Sequence, residues 1–119
     1  MGMILTGTPG FRCKRIESGL LSAGQDFNHK TNPYDVGLGK YVDLNKSYFI
    51  GKSALQSVDK ETRCWGIRVE GGTALKGTYI KFNNEIIGKI TSSTWSPFQE
   101  CGVGICLLYT SPSPRDGLL

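Results

Sequence analysis

Apolar and polar residues alternate along the second half of the chain in the manner of β-strands. The strand-like runs are rich in β-branched and aromatic residues and are separated by Gly71-Gly72 and by Asn83-Asn84. Two consecutive asparagines can adopt the positive φ angles of a two-residue hairpin turn. The pattern therefore predicts a mostly antiparallel sheet, with strands at residues 64–69, 78–82, 85–92 and 101–105.

The first half of the chain has the pattern of short helices joined by polar segments. Phe11, Ile16 and Leu20 recur at roughly helical spacing and predict a helix that ends near Gly19. The remaining pattern predicts an exposed loop at 23–31, a short strand within 36–44 and a short helix at 50–57.

These elements predict an α+β fold. Short helices and loops predominate before a charged stretch, residues 59–63, and strands predominate after it. We expect residues 1–58 to form the end of one domain and residues 59–105 to form an incomplete antiparallel β-barrel. An incomplete barrel leaves strand edges without partners, so we expect marginal stability.

The last residues of the chain differ from the rest in composition and in hydrophobic pattern. Ser111-Pro112-Ser113-Pro114 has no apolar periodicity, which is typical of a disordered extension. The run from Cys106 to Asp116 also resembles a one-frame translation of a short-read sequencing adapter. We therefore expect residues 106–119 to be an artefactual or disordered tail and the biological chain to end at Ile105.

Charge and cysteine usage exclude several functional classes. The net charge is +4, and the 14 Lys and Arg form no basic stripe interleaved with aromatic residues, which disfavours nucleic-acid binding. No run approaches the roughly 20 apolar residues that a membrane helix needs. The four cysteines show no C-x-x-C spacing and the chain has one histidine, so no metal site is expected. An anionic ligand is compatible with the positive charge.

A series of short motifs runs through residues 12–105 in a fixed order. The motifs are Arg15-Ile16-Glu17-Ser18-Gly19-Leu20, Gly24-Gln25-Asp26, Thr31-Asn32-Pro33-Tyr34-Asp35-Val36-Gly37-Leu38, Phe49-Ile50-Gly51-Lys52-Ser53-Ala54-Leu55, Ile87-Gly88-Lys89-Ile90-Thr91-Ser92 and Trp95-Ser96-Pro97. Taken together they resemble the glycine cleavage T-protein (aminomethyltransferase) family, although Ala23 stands where that family usually has an aromatic residue.

The resemblance implies the end of a tetrahydrofolate-binding domain followed by a small β-barrel, and transfer of a one-carbon group to tetrahydrofolate. It implies that Glu17 accepts hydrogen bonds from the pterin ring, a role that suits a carboxylate with its two acceptor oxygens. The alternative is that Glu17 is a helix-surface residue paired with Arg12, Lys14 or Arg15. Lys46 is the second implied cofactor-binding residue, and a solvated lysine is the alternative there.

The same resemblance places the aspartate that steers the reacting folate nitrogen upstream of this chain. We therefore expect that the fragment has no catalytic residue of its own and does not catalyse transfer by itself. In the intact protein the implied partners are folate, a small one-carbon donor and a lipoyl-bearing carrier protein, with neither nucleic acid nor membrane. The implied compartment is the cytoplasm or the mitochondrial matrix.

Three alternatives stay open at this point. One is a dimethylsulfoniopropionate demethylase, and another is the C-terminal module of a dimethylglycine or sarcosine dehydrogenase. The third is a non-catalytic folate-binding protein of the iron-sulfur assembly type. That type carries a cysteine and a Gln-Glu pair in the region where this chain has residues 46–53, and both are missing here.

Overall fold

The computed structural model describes residues 2–109. In chain order the elements are α1 (Thr8–Glu17), a 3₁₀ turn (Gly39–Tyr41), α2 (Lys52–Ser57), β1 (Arg63–Val69), β2 (Tyr79–Phe82), β3 (Glu85–Ser96) and β4 (Cys101–Leu108). The strands form an antiparallel sheet in the order β1-β4-β3-β2. The predicted α+β fold is confirmed, and within the described residues the sheet is open rather than closed into a barrel.

Residues at the two ends of helix α1 determine where it begins and ends. Pro9 lies in the first turn, where its missing N–H costs no intrahelical hydrogen bond. At the other end Gly19 has a φ of 69°. The amides of Gly19 and Leu20 donate to Ile16 and Arg15, which is the Schellman arrangement of a helix C-terminus. The predicted end near Gly19 is confirmed, and the helix begins three residues earlier than Phe11.

The turn between β2 and β3 is the predicted asparagine hairpin. Asn83 and Asn84 have φ angles of 49° and 66°, both in the left-handed region. Strand β3 is longer than predicted, since its last residues continue the ladder with β4 as far as the pair Ser96 and Cys101. This extension places Ser96 beside the end of α1.

One expectation for the first half is wrong, and another holds except at a buried aspartate. The predicted strand within 36–44 is replaced by the 3₁₀ turn, because Gly37 has a φ of 75° and the Leu38 amide bonds back to Pro33. The 23–31 segment is not uniformly exposed. Asp26 at its centre is only 2 % exposed, because its carboxylate is hydrogen-bonded inside the fold.

The two faces of the sheet carry separate cores. Helix α1 packs against β3 and β4 on one face, around Ile16, Val103 and Ile105, with Leu21, Cys64 and Cys101 at the margin. A second cluster is built from Ile90, Cys106 and Leu108, with Ile67, Ala74, Ile80 and Ile87 around it. One face of the sheet is therefore covered by α1, and the other carries the second cluster.

The described residues include the first four of the expected tail. Cys106 to Leu108 are the last residues of β4, and Cys106 pairs with both Trp65 and Ile90. The end of β4 therefore does not coincide with the predicted division after Ile105. Residues 110–119 lie outside the described part of the chain, and both the adapter interpretation and the domain bounds stay predictions.

Candidate functional site

A buried ion pair joins α1 to the loop that follows it. The Arg15 Nη1 atom lies 2.7 Å from Asp26 Oδ2, and the two side chains are 8 % and 1 % exposed. Arg15 Nη1 also donates to the Leu20 carbonyl at 2.7 Å. Because an unpaired buried charge is costly, each partner needs the other in place.

Side chains from β3 complete the hydrogen bonding of this pair. The hydroxyls of Thr91 and Ser92 both donate to Asp26 Oδ1 at 2.6 Å. Arg15 Nη2 donates to the Ser92 oxygen at 2.9 Å, and the Ser22 amide donates to Asp26 Oδ2 at 2.9 Å. The network ties α1, the 22–27 loop and β3 into one unit.

A β-bulge allows two neighbouring hydroxyls to reach one carboxylate. The β3–β4 register shifts between Ile90 and Ser92, so Thr91 has no partner residue in the ladder. Side chains of a regular strand alternate between the two faces, and the extra residue of a bulge breaks that alternation. Thr91 and Ser92 consequently bind the same Asp26 oxygen.

The charge state of Asp26 follows from these contacts. Burial alone would raise the pKa of its carboxyl by penalising the ionised form. The hydrogen bonds from Ser92, Thr91, the Ser22 amide and Arg15 outweigh that effect and hold the pKa of Asp26 below its usual value. Asp26 is therefore an ionised structural carboxylate whose acceptor positions are filled.

Glu17 lies at the last turn of α1 and contacts the end of β3. Its Oε2 atom is 2.8 Å from Lys14 Nζ, and its Oε1 atom accepts from the Ser96 hydroxyl and from Cys13 Sγ at 3.5 Å. The hydrogen bond from Lys14 and then that from Ser96 hold the pKa of Glu17 below its usual value. Glu17 is thus an ionised carboxylate carried by α1.

The two predicted cofactor-binding residues lie in different parts of the chain. Lys46 is exposed in the segment between the 3₁₀ turn and α2, where its carbonyl accepts from Lys52 Nζ at 2.6 Å. No hydrogen bond or ion pair joins Lys46 to Glu17 within residues 2–109. The ion pair of Glu17 with Lys14 is the surface pairing that the sequence left as an alternative.

One cleft borders the ion-pair network, and a second lies beside the start of α1. One, of about 500 Å³, lies between the 24–31 loop and the strands, and is lined by Asp26, Phe27, Lys76, Lys89 and neighbouring residues. The other, of about 260 Å³, lies between the start of α1 and β3 beside Arg12. Glu17 lines neither cleft.

The described residues hold neither a metal cluster nor a membrane helix. No three His, Cys, Asp or Glu side chains of residues 2–109 lie together as metal ligands. No helix in the same range is long and apolar enough to cross a membrane.

Sequence reasoning missed the partners of the site. Asp26, Thr91, Ser92 and Ser96 were visible only as members of the ordered motifs, without a role. Their contacts with one another and with Glu17 join positions 65 to 79 residues apart, and no local periodicity reports such a pairing.

Comparison with known proteins identifies relatives of this segment. The chain is 37 % identical over 99 residues to an aminomethyltransferase of Prochlorococcus marinus, covering 79 % of this chain and 26 % of the relative. It is 38 % identical over 106 residues to an aminomethyltransferase of Thermotoga maritima, covering 87 % of this chain and 28 % of the relative. No protein-family model matches the sequence.

The fold has a counterpart among solved structures. It matches the crystal structure of the glycine cleavage system aminomethyltransferase T from Bartonella henselae with a TM-score of 0.69 and 24 % identity. The match covers 82 % of this chain and 29 % of that one. The chain thus spans about a quarter to a third of the length of the curated relatives that it matches.

Proposed function

This chain is a homologue of part of the aminomethyltransferases of glycine cleavage, and from that premise we propose that it supplies a pterin contact in a tetrahydrofolate-dependent one-carbon transferase. Glu17 is the residue that makes this contact. The observation that carries the proposal is the ionised Glu17 carboxylate, held at the junction of α1 and β3 by Ser96.

A carboxylate in this state suits the recognition of a pterin ring. The ring edge presents an amino group and a ring N–H side by side, and a carboxylate can accept from both donors at once. A glutamate carboxyl is ionised at neutral pH, and the hydrogen bonds from Lys14 and Ser96 lower the pKa of Glu17 further, so both oxygens are acceptors. The buried network of Arg15 and Asp26 fixes α1 against β3 and so fixes the position of Glu17.

We assign Lys46 a weaker role toward the anionic end of the folate. Its side chain is exposed and forms no ion pair among the described residues. Lys40 and Lys52 are near it in sequence, and a group of lysines attracts carboxylates through screened Coulomb forces. A small one-carbon donor and a lipoyl-bearing carrier protein are the further partners that this function requires.

The relatives favour aminomethyl transfer over the alternatives. Those compared above are named aminomethyltransferases, whereas the demethylase, dehydrogenase-module and non-catalytic interpretations rest on the sequence motifs alone. We give Glu17 and Lys46 a role in folate contact, and neither is a reacting group. The assignment to this chain is therefore folate contact, and transfer belongs to the intact enzyme.

Titration of the whole chain with tetrahydrofolate tests the assignment. Trp95 is next to Ser96 and 48 % exposed, so its fluorescence reports binding nearby. Glu17→Gln should weaken binding by about 10- to 100-fold, since it removes a charged acceptor. Glu85→Gln is the matched control, because Glu85 is exposed and forms no ion pair among the described residues. Equal affinity of the two variants would contradict the proposal.

A further inference from the structure

The two oxygens of the Glu17 carboxylate are held in different ways. Oε2 is paired with Lys14, whose side chain is 73 % exposed. Oε1 accepts from Ser96, which is fully buried, and from the thiol of Cys13. One oxygen therefore has an exchangeable partner, and the other has a partner that cannot leave without disturbing the fold.

The direction of the Ser96 hydroxyl is set by its second hydrogen bond. The Gln99 amide donates to Ser96 Oγ at 3.0 Å, in the turn that follows β3. A serine hydroxyl has a single proton, so with its oxygen accepting from Gln99 that proton is free to donate to Glu17. The turn thereby aims the hydroxyl at Oε1.

The other two contacts can yield to a ligand. Lys14 is 73 % exposed, so water solvates its ammonium when it leaves Glu17, whose own side chain is 11 % exposed. A thiol is a weak donor, and Cys13 Sγ is 3.5 Å from Oε1. Removal of these two contacts would leave a lone pair on each oxygen for a bidentate ligand.

We propose that Ser96 is a positioning residue for Glu17, holding one carboxylate oxygen while Lys14 yields the other to the ligand. This inference rests on the proposed function, since it specifies how the same Glu17 is presented to a pterin ring. Ser96 itself does not touch the ligand. Its effect is transmitted through the orientation of the carboxylate.

Three variants of the whole chain separate positioning from charge. Ser96→Ala removes the buried donor, and Lys14→Met removes the exposed cation. Ser93→Ala is the matched control, because Ser93 is a buried serine of the same strand whose hydroxyl has no partner among the described residues. Circular dichroism melting first verifies that each variant folds.

Two readouts are measured on each folded variant, the Glu17 carboxyl titration by ¹³C NMR and the dissociation constant for tetrahydrofolate at pH 8. Ser96→Ala should raise the pKa of Glu17 and weaken folate binding about tenfold. Lys14→Met should also raise the pKa but leave the affinity unchanged or tighter. Ser93→Ala should match the unaltered chain in both.

The outcomes distinguish this inference from the proposed function. If the unaltered chain binds folate, equal losses in Ser96→Ala and Lys14→Met, or no loss in Ser96→Ala, overturn the positioning role. If the unaltered chain binds no folate, the proposed function fails, and an unchanged Glu17 titration in Ser96→Ala then overturns the positioning role as well. If Ser96→Ala does not fold, the hydrogen–deuterium isotope shift at the Glu17 carboxyl carbon of Lys14→Met decides, because the Lys14 ammonium no longer contributes to it, and its absence overturns the role.

Discussion

Arg15 and Asp26 are eleven residues apart in sequence and form a 2.7 Å ion pair that is almost completely shielded from solvent. Three structural units meet at this pair, namely α1, the loop that contains Asp26, and the bulge of β3. Removal of one partner leaves a buried charge without compensation, which is the situation in which an ion pair matters most for stability.

Asp26→Asn should destabilise the chain by roughly 3–5 kcal/mol, because Arg15 then remains buried without a counter-charge. Urea unfolding followed by circular dichroism measures this change. Asp43→Asn is the matched control, since Asp43 is exposed and, within residues 2–109, its Oδ1 accepts only from the nearby Asn45 amide. Similar unfolding free energies for the two variants would show that the buried pair is unimportant.

Stability should fall in acid as the carboxylates of the site become protonated. The folded-state pKa values of Asp26 and Glu17 are lowered, so their stabilisation is fully present above the unfolded-state values of about 3.9 and 4.3. That stabilisation is lost as the pH falls below about 4 and through the folded-state values.

Unfolding free energies between pH 7 and pH 2 measure this dependence. Asp26→Asn should show a shallower loss below pH 4 than the unaltered chain, because one of the two titrating groups is gone. An identical slope in both proteins would contradict the assigned charge state of Asp26.

Two cysteines of the sheet should resist alkylation in the folded chain. Burial raises the pKa of Cys64 to about 11 and that of Cys106 to about 12. The thiolate is the reactive form, so both should react slowly with iodoacetamide at pH 8. Mass spectrometry of digests measures the rates, and the same reaction in denaturant supplies the reference. Rapid labelling of Cys106 before unfolding would contradict its buried position in β4.

Gly19→Ala should destabilise α1 by roughly 1–2 kcal/mol, because Gly19 has a φ of 69°. Apart from Gly19 and its two chain neighbours, no atom of the described residues lies within 4 Å of a Cβ at this position, so the cost is one of backbone conformation. Gly66→Ala is the control, since it has the same free space without a positive φ. Thermal melting compares the two, and equal melting temperatures would exclude the left-handed conformation at Gly19.

The order of apolar, polar and turn-forming residues predicted those parts of the fold that depend on neighbours in sequence. The Asn83-Asn84 turn, the end of α1 at Gly19 and the four strands follow from residues adjacent in sequence. The prediction of a strand within 36–44 is wrong, because the positive φ of Gly37 and the hydrogen bond from Leu38 to Pro33 turn the backbone. A short alternation of apolar and polar residues does not reveal such a turn.

The site was less predictable because its contacts are distant in sequence. Glu17 was identified through a family resemblance, and its contact with folate stays a prediction. Ser96 is 79 residues away and reaches Glu17 only because β3 extends past its predicted end. The bulge that directs Thr91 and Ser92 to Asp26 is likewise a property of strand pairing, which periodicity does not encode.

Whether Glu17 accepts hydrogen bonds from the pterin ring is measured by ¹³C NMR of the Glu17 carboxyl carbon. Tetrahydrofolate is added to the whole chain, and p-aminobenzoyl-glutamate, which lacks the pterin, is added to a second sample. We expect a saturable shift of the Glu17 resonance with tetrahydrofolate and no shift with the truncated compound. Equal shifts with both compounds, or no shift with either, would contradict this expectation.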